Sequence, residues 1–491
     1  MDEKHLASEP FDVYPLHALD DTLLYRTLIS RLMRFNDVLD ADKLHEALLG
    51  LFEIGDWRKL GGRLRFKQNG KLEIHVPRSF TDEQQPVAFT HDVFDMRIEE
   101  HPVAGQLPTP TDGPSIQPIS SLDCRSFVVR WPDHPTTIDE MIQMDAPQLS
   151  LQISSFSNAT LVALTWPQTM MDAVGIQALL QAWSLVLAGR ADEVPPAFGA
   201  HKDVLETIES SNDGKQEDFG PDEQRMTGMS KLTFIFHNLW DRLWNPRWER
   251  RAIYLPKDIY LRLKKRVQDE AALSTLTSLE KPVVTENDTL TAWVTRAVAM
   301  TLPNPRPVTA VILSNARFRL PLLLESTGVY LQNMVLMGLA FFPTELARGP
   351  LGPIALTNRR HIAEQGTVQQ TLAMLRTMRQ DITSDKTPNL FYGDPHASVL
   401  FVSNVNKLDL IKAPNFGPAV LRQGDGEKSR INPPGTMLIY HNYTTKPLVG
   451  GTNAVWMLGK DYGGNYWLEG NFLPRTWNLL EEEIKDMEGT V

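Results

Sequence analysis

Residues Leu161–Gly189 read LVALTWPQTMMDAVGIQALLQAWSLVLAG. The segment opens with an apolar, β-like run to Trp166. Pro167, which has no N–H to give to a ladder, stops it. After Asp172 the apolar residues Ile176, Leu179, Leu180, Trp183 and Leu187 recur at helical spacing, and Gly189 stands where a helix would end. The reading is strand, short loop, helix, with Gln168–Gly175 at the junction. Junctions held by two rigid elements are where enzymes often place reactive groups. This one offers Gln, Thr, Met and one Asp, without histidine, serine or cysteine.

Working outward, strands and helices mix without strict βαβ alternation, which favours an α/β fold with mixed sheets. Gln148–Ile153 reads as a strand placed to pair with Thr160–Trp166, and Ser126–Trp131 as another. Thr22–Leu32 reads as a helix capped by Asp20 or Asp21. Ala41–Ile54 is amphipathic, with Leu44, Ala47, Leu48, Leu51 and Phe52 on one face. Leu64 to Phe66 and Leu72 to Val76 alternate about Asn69-Gly70, a hairpin signal, and Glu83–Asp112 reads as loop. Val284–Leu302 is a helix capped by Thr285 or Asn287. Val308–Arg319, Val335–Phe342 and Val399–Val405 read as strands, the first with Arg317 and Arg319 on one side. Pro353–Ile382 reads as one long helical region. Gly435–His441 and Asn453–Leu458 read as a strand pair joined through Lys446-Pro447 and Gly450-Gly451. Leu232–Trp248 carries Phe234, Phe236, Trp240 and Trp244 near helical spacing. A helix docked on a domain surface is expected there; a membrane-lying helix is the sharper alternative, and the acidic chain speaks against it.

A chain of 491 residues is too long for one ordinary core, so two domains are expected. The composition break at Ala191–Gly228, acidic and turn-rich, sets them at 1–200 and 231–491, with 201–230 as linker or crossover. Lys and Arg total 49 against 60 Asp and Glu, a net charge of −11, which argues against nucleic-acid and anionic-membrane partners. The single cysteine, Cys124, forms no internal disulfide, which fits a reducing, cytoplasmic setting. The opening MDEKHLASEP is polar, and no apolar run approaches the roughly 18 residues of a membrane span. No CxxC, HExxH, P-loop or GxGxxG pattern appears, so no metal or dinucleotide is expected.

Five segments, in order, resemble the BAHD acyltransferases of plants and fungi, and most closely their fungal, trichothecene acetyltransferase-like branch. YPLHALDD with DWRKLGGRLR (Tyr14–Asp21, Asp56–Arg65) is similar to that family's opening strand and "L-x-GRL" segment. WPQTMMDAVG stands in the place of its HxxxDG motif, and TENDTLTAWVTRAV (Thr285–Val298) resembles its "T-N-D-x-L-x-A-W-x-x-R-A" helix. SNARFRL with GVYLQN (Ser314–Leu320, Gly328–Asn333) resembles "D-x-R-x-R…G-Y-x-G-N". FVSNVNKL with NFGPAV (Phe401–Leu408, Asn415–Val420) stands in the place of "SW…DFGWG". The resemblance implies two chloramphenicol-acetyltransferase-like domains with mixed sheets and a solvent channel between them. It implies acyl-CoA as co-substrate with no bound cofactor, a small natural-product acceptor from fungal secondary metabolism, and a monomer.

Acyl transfer to a hydroxyl needs a base, and histidine suits it because its ordinary pKa is about 6.5. The family's base is the HxxxD histidine; the matching residue here is Gln168, which cannot titrate but donates and accepts hydrogen bonds. Asp172 is retained, and the resemblance implies that it pairs with Arg317 as a structural ion pair; its reading as a base is the weaker one. The motif glycine is Ala173, and Gly175 is expected to take over some of its backbone freedom. Trp166, Thr169, Ser403 and Asn404 are candidate substrate contacts, the last two equally readable as ordinary strand-end polar residues. Among the histidines, which include His134, His361 and His396, His17 and His441 lie beside strand-like segments and are the candidate replacement bases. Three functions remain open on these residues: acyl transfer with an atypical or relocated base, a cyclisation that uses the channel without CoA, and a catalytically inactive binding protein.

Overall fold

The computed structural model describes residues 11–119, 123–129, 134–210, 217–245, 247–274, 283–383, 389–424, 430–444 and 451–489. All eight residues of the Thr160–Pro167 strand are buried. A strand of that kind needs partners on both edges and cover on both faces. It is the middle strand of a five-stranded sheet, antiparallel to Leu28–Phe35 on one side and Leu149–Ser155 on the other. Ile439–Thr444 and Val87–Val93 form the two edges. A second, seven-stranded sheet runs Val335–Phe342, Val308–Asn315, Ser398–Asn404, Asn453–Lys460, Tyr466–Phe472, Glu249–Leu255 and Ser115–Pro118. Its pairs are antiparallel except on the two sides of Ser398–Asn404, which are parallel. Two mixed sheets with packed helices make the α/β architecture expected. Each sheet takes one strand from the other half of the chain: Ser115–Pro118 joins the second, and Ile439–Thr444 the first.

Several local readings give way to tertiary partners. Thr22–Leu32 is not a helix, because Leu28–Phe35 is a strand with seven of its eight residues buried. A short apolar run suits either state, and strand partners on both edges decide it. Asp21 binds Arg26 (2.9 Å) and the Leu72 N–H (2.8 Å) instead of capping a helix. Gly435–His441 and Asn453–Leu458 do not pair, since their strands belong to different sheets; Lys446, Pro447 and Gly450 lie outside the described residues. Asp123–Phe127 is a 3-10 turn, not a strand. The Val128 carbonyl accepts the Thr165 hydroxyl, so this segment covers the sheet's face; Arg130 and Trp131 lie outside the described residues. The Glu83–Asp112 stretch contains the edge strand Val87–Val93, and Pro353–Ile382 is two helices, Leu351–Glu364 and Val368–Thr383. The polar opening residues and 211–216 of the expected linker are also outside the described residues.

The borrowed strand Ile439–Thr444 is held by a buried ion pair. Arg430 donates to both oxygens of Asp37 (2.7 and 2.5 Å), and the Gly435 N–H adds a third bond (2.7 Å). Asp37 is fully buried, so removing the guanidinium strands a carboxylate away from water. Arg430→Ala is expected to cost about 3–5 kcal/mol in urea unfolding; a loss below about 1 kcal/mol would show that the pair does not tie the strand down.

Candidate active site

Asp172 is the N-cap of the Ala173–Leu187 helix. Its Oδ1 accepts the N–H groups of Val174 (3.0 Å) and Gly175 (3.2 Å), which the first helical turn leaves without intrahelical partners. Its Oδ2 accepts Arg317 Nη1 (2.6 Å), Asn315 Nδ2 (3.0 Å) and the Met334 N–H (3.0 Å). Five donors occupy a carboxylate with about four lone-pair sites, so nothing remains for a substrate proton. Arg317 is spent as well: Nε binds the Tyr330 carbonyl (2.9 Å), Nη2 the Gln332 carbonyl, and Nη1 also reaches Asn315 Oδ1 (3.1 Å). The ion pair is buried on both sides. Arg317 lies on a 3-10 turn, Ala316–Phe318, just past the Val308–Asn315 strand rather than in it.

Gly175 is required by space, not by backbone freedom. It lies in the first turn of the helix and is absent from the left-handed positions. A Cβ there would sit 2.6 Å from the Leu331 carbonyl oxygen and 2.6 Å from Met171 Cβ. The expected role of replacing the motif glycine's flexibility is therefore wrong; the glycine lets the 330–334 segment close on the helix.

Gln168 has its backbone committed, with its N–H on Thr27 O (2.9 Å) and its carbonyl accepting Asn333 Nδ2 (2.9 Å). Its side-chain Oε1 is buried and unpartnered. Unpartnered buried polar atoms are few in native structures, yet the elements meeting here contribute Thr27 Oγ1, Thr169 Oγ1, Asn333 Oδ1, His17 Nε2 and Lys59 Nζ as well.

Behind Gln168 lies a buried charged cluster. Asp20 accepts the Asn333 N–H (2.8 Å), Asn333 Nδ2 (2.9 Å) and the His17 N–H (3.2 Å). Burial pushes its carboxyl up to about 6, against the pull of Lys59 and these donors. Burial also brings the Lys59 ammonium down to about 8, opposed by Asp20. The His17 ring, 3.2 Å from the Tyr330 hydroxyl, is lowered to about 4, first by burial and then by Lys59. Tyr25 is pushed up by burial and by the nearby carboxylates of Asp172 and Asp20. Of Asp20, Lys59, Asn333, Tyr25 and Tyr330, only Asp20 was named from sequence, and then as a helix cap. All but Tyr25 stand inside the motif segments YPLHALDD, DWRKLGGRLR and GVYLQN, where only burial reveals their chemistry.

The two candidate histidines do not converge. The His17 backbone N–H, not its ring, is linked through Asp20 and Asn333 to the Gln168 backbone carbonyl. His441 is paired across the sheet with Leu32, and Leu32 with Ala163, five residues before Gln168. At roughly 3.3 Å per residue that is about 16 Å along the strand. His441 is buried, with Nδ1 2.9 Å from Glu469 Oε1, and Arg250 completes that cluster. Trp166 is buried beneath the loop with Nε1 on the Met171 carbonyl, and Thr169 is fully buried. Asn404 binds Asn287 Oδ1 (2.8 Å) and receives the Asn406 N–H (2.9 Å), tying its strand end to the first turn of the Glu286–Thr301 helix. Ser403, half-buried beside it, is paired with Leu313, two residues before Asn315. Two surface clefts, one at Asp241, Arg306 and Arg475 and one at Tyr14, Arg78 and His201, include neither Gln168 nor Asp172. The site is therefore assigned from side-chain chemistry.

Gly175→Ala must displace the 330–334 segment or the helix. It is expected to cost about 1–3 kcal/mol in urea unfolding, the usual range for overpacking; an unchanged midpoint and slope would contradict the close approach.

No family model matches the chain. Acetyltransferase pyiB of Pyricularia grisea is 36% identical over 485 residues, spanning 98% of this chain and 95% of that protein. O-acetyltransferase PaAT-2 of Phomopsis amygdali is 34% identical over 489 residues, spanning 97% and 98%. Among solved structures, TRI101 of F. sporotrichioides, complexed with coenzyme A and T-2, matches with a TM-score of 0.64 over 97% of this chain and 99% of that one. Its 14% identity speaks to the fold alone. Related at 34–36% identity along nearly its whole length to fungal acetyltransferases, and folded in two such sheets, the chain belongs to the BAHD-type acyltransferase family of fungal secondary metabolism.

Proposed function

We propose that the chain moves an acyl group from a coenzyme A thioester to a hydroxyl or amine of a small natural product at the Gln168 loop, with His17 as the proton acceptor. The observation that carries this reading is the contrast between two groups. Asp172 has both oxygens occupied, whereas His17 Nε2 is buried and unpartnered, on a residue whose backbone N–H is linked through Asp20 and Asn333 to the Gln168 backbone carbonyl. The coenzyme A in the TRI101 complex and the names of the two relatives support the choice of donor and reaction.

In this reaction the acceptor's lone pair attacks the thioester carbon, the acceptor's proton leaves to a base, and the thiolate departs with a proton. Gln168 cannot take the proton. Its amide can hold the acceptor's O–H or N–H through Oε1, or donate N–H to the developing oxyanion. His17 is neutral at pH 7, as a base must be, because burial and Lys59 disfavour its imidazolium. Such a ring is a weak base, and it suits an amine best, since a neutral amine attacks before losing its proton.

The first test is release of free thiol from acetyl-CoA in the presence of amine and alcohol acceptors, with CoA binding read by calorimetry. Thiol release is expected, with kcat falling by about 100-fold or more in His17→Asn while CoA affinity is kept. Absence of CoA binding, with turnover of an isolated intermediate lacking CoA, would mean a cyclisation instead; binding without any turnover would mean a binding protein.

A second test reads His17 through stability. Its ordinary pKa of 6.5 falls to about 4 in the folded protein. Between these values the unfolded chain binds the extra proton, so His17 costs stability as pH falls, up to about 3 kcal/mol. Asp20 acts oppositely: raised from 3.8 to about 6, it binds its proton first in the folded state and adds stability on acidification. The two oppose each other in wild type. In His17→Asn only the Asp20 contribution remains, so the variant's melting temperature should rise relative to wild type as pH drops from 6.5 to 4. A variant that instead loses ground on acidification would rule out a buried neutral His17.

A further inference from the structure

The Gly228–Trp244 helix is docked with its faces reversed. It is held to the protein through Phe234, His237, Asn238 and Asp241. Asp241 pairs with Arg306, His237 Nε2 lies 2.8 Å from His396 Nδ1, and the Phe234 ring sits 5.3 Å from Phe391. Only Phe234 of the helix is buried. The opposite side carries Leu232, Phe236, Leu239, Trp240, Leu243 and Trp244, every one exposed: Trp240 by 50%, Trp244 by 70%, Leu243 by 76%. At about 100° per residue these six fall within an arc of roughly 140°. No charged residue shares that arc. An amphipathic helix ordinarily buries such a face, and an uncovered one marks an interaction surface.

Among the described residues nothing supplies the cover. No described residue lies over this face, and the segments outside the described residues are short and polar, none with more than two large apolar side chains. A second copy fits poorly. Seventeen residues make a helix about 25 Å long and roughly 10 Å wide, a footprint near 250 Å², against about 800 Å² per partner in a standard stable interface. A lipid surface needs no complementary shape. Two tryptophans and a phenylalanine among leucines are the side chains that settle at the boundary between headgroups and acyl chains. The net charge of −11 and the uncharged arc select an electrically neutral surface over an anionic one. The charge argument against a membrane therefore excludes attraction to anionic lipid, but not apolar insertion.

We propose that the Gly228–Trp244 helix is a monotopic docking helix that lays Leu232, Phe236, Leu239, Trp240, Leu243 and Trp244 into the interface of a zwitterionic phospholipid bilayer. The face bearing Asp241 and His237 keeps the protein body above it. The test floats the full-length protein with phosphatidylcholine vesicles on a density gradient at physiological salt. The protein should float, with tryptophan emission shifted to the blue and quenched by brominated phosphatidylcholine. Leu239→Glu with Leu243→Glu should cut the floated fraction by about tenfold or more at an unchanged thermal melt. Trp240→Phe with Trp244→Phe should still float but lose most of the bromolipid quenching. Wild-type protein left at the bottom of the gradient overturns the proposal, as does flotation indifferent to the two glutamates. So does a wild-type dimer that the same two glutamates split, without flotation, which would assign the face to a second copy.

Discussion

The buried Asp172–Arg317 pair is the interaction on which the rest of the site depends. Two charges taken from water cost several kcal/mol each unless every hydrogen-bonding position is filled. Here the carboxylate takes five donors, and the guanidinium directs four hydrogen bonds to acceptors from its five N–H groups. The partners come from the loop after Thr160–Pro167, the start of the Ala173–Leu187 helix, the end of Val308–Asn315 and the 330–334 segment. One pair thus joins the end of a strand in the five-stranded sheet to the end of a strand in the seven-stranded sheet. Gln168, four residues upstream, inherits its position from this clamp and from its own backbone bonds to Thr27 and Asn333. Its side chain takes no part in the clamp. The residue at 168 can therefore change its chemistry while the scaffold stays intact.

The cluster behind the loop follows the opposite logic, because its members are not saturated. Lys59 is buried with Nζ unpartnered, and Asp20 is the carboxylate that most offsets its charge. Around His17 stand Lys59, Asp20, Asp203 and the Tyr330 hydroxyl. Burial and the Lys59 ammonium outweigh Asp203, so the ring stays neutral well below physiological pH. A saturated ion pair that fixes position and an unsaturated cluster, to which the proposed mechanism gives proton handling, are two uses of buried charge.

What the sequence showed was what local chemistry decides. Pro167 ended a strand, Asn69-Gly70 turned a hairpin, and Thr285 capped a helix in a box with Asp288. Asp172 and Arg317, 145 residues apart, were legible as a pair only because each stood in a segment resembling a family motif. Leu28–Phe35 was misread because a central strand buried on both faces has no alternation, whereas for the edge strand Ile439–Thr444 only the partner was misread, since Leu28–Phe35 lies roughly 400 residues away. The roles of Lys59 and Asp20 were invisible because a lysine or aspartate has ordinary chemistry until it is buried. In Gly228–Trp244 the period was readable but not the orientation. The rule that the apolar face turns inward fails there, since Asp241–Arg306 and the His237–His396 contact hold the polar face instead.

On the proposed reading, a loop without a histidine is tolerable in energetic terms as well. General base catalysis contributes typically 10²–10⁴ in rate, about 3–5 kcal/mol, whereas holding two reactants in attacking geometry is worth about 7–11 kcal/mol. A substitution at 168 that leaves Asp172, Arg317, Asn333 and the two strand ends in place forfeits the smaller contribution and keeps the larger. Part of the smaller one returns if the acceptor is an amine, whose attack precedes proton loss, or if a second imidazole is close enough to collect the proton. Gln168 adds what a histidine would not: an amide that donates and accepts at once without changing charge, beside a cluster where an imidazolium would meet the Lys59 ammonium. In that surrounding a neutral hydrogen-bonding side chain costs less to bury than a titrating one.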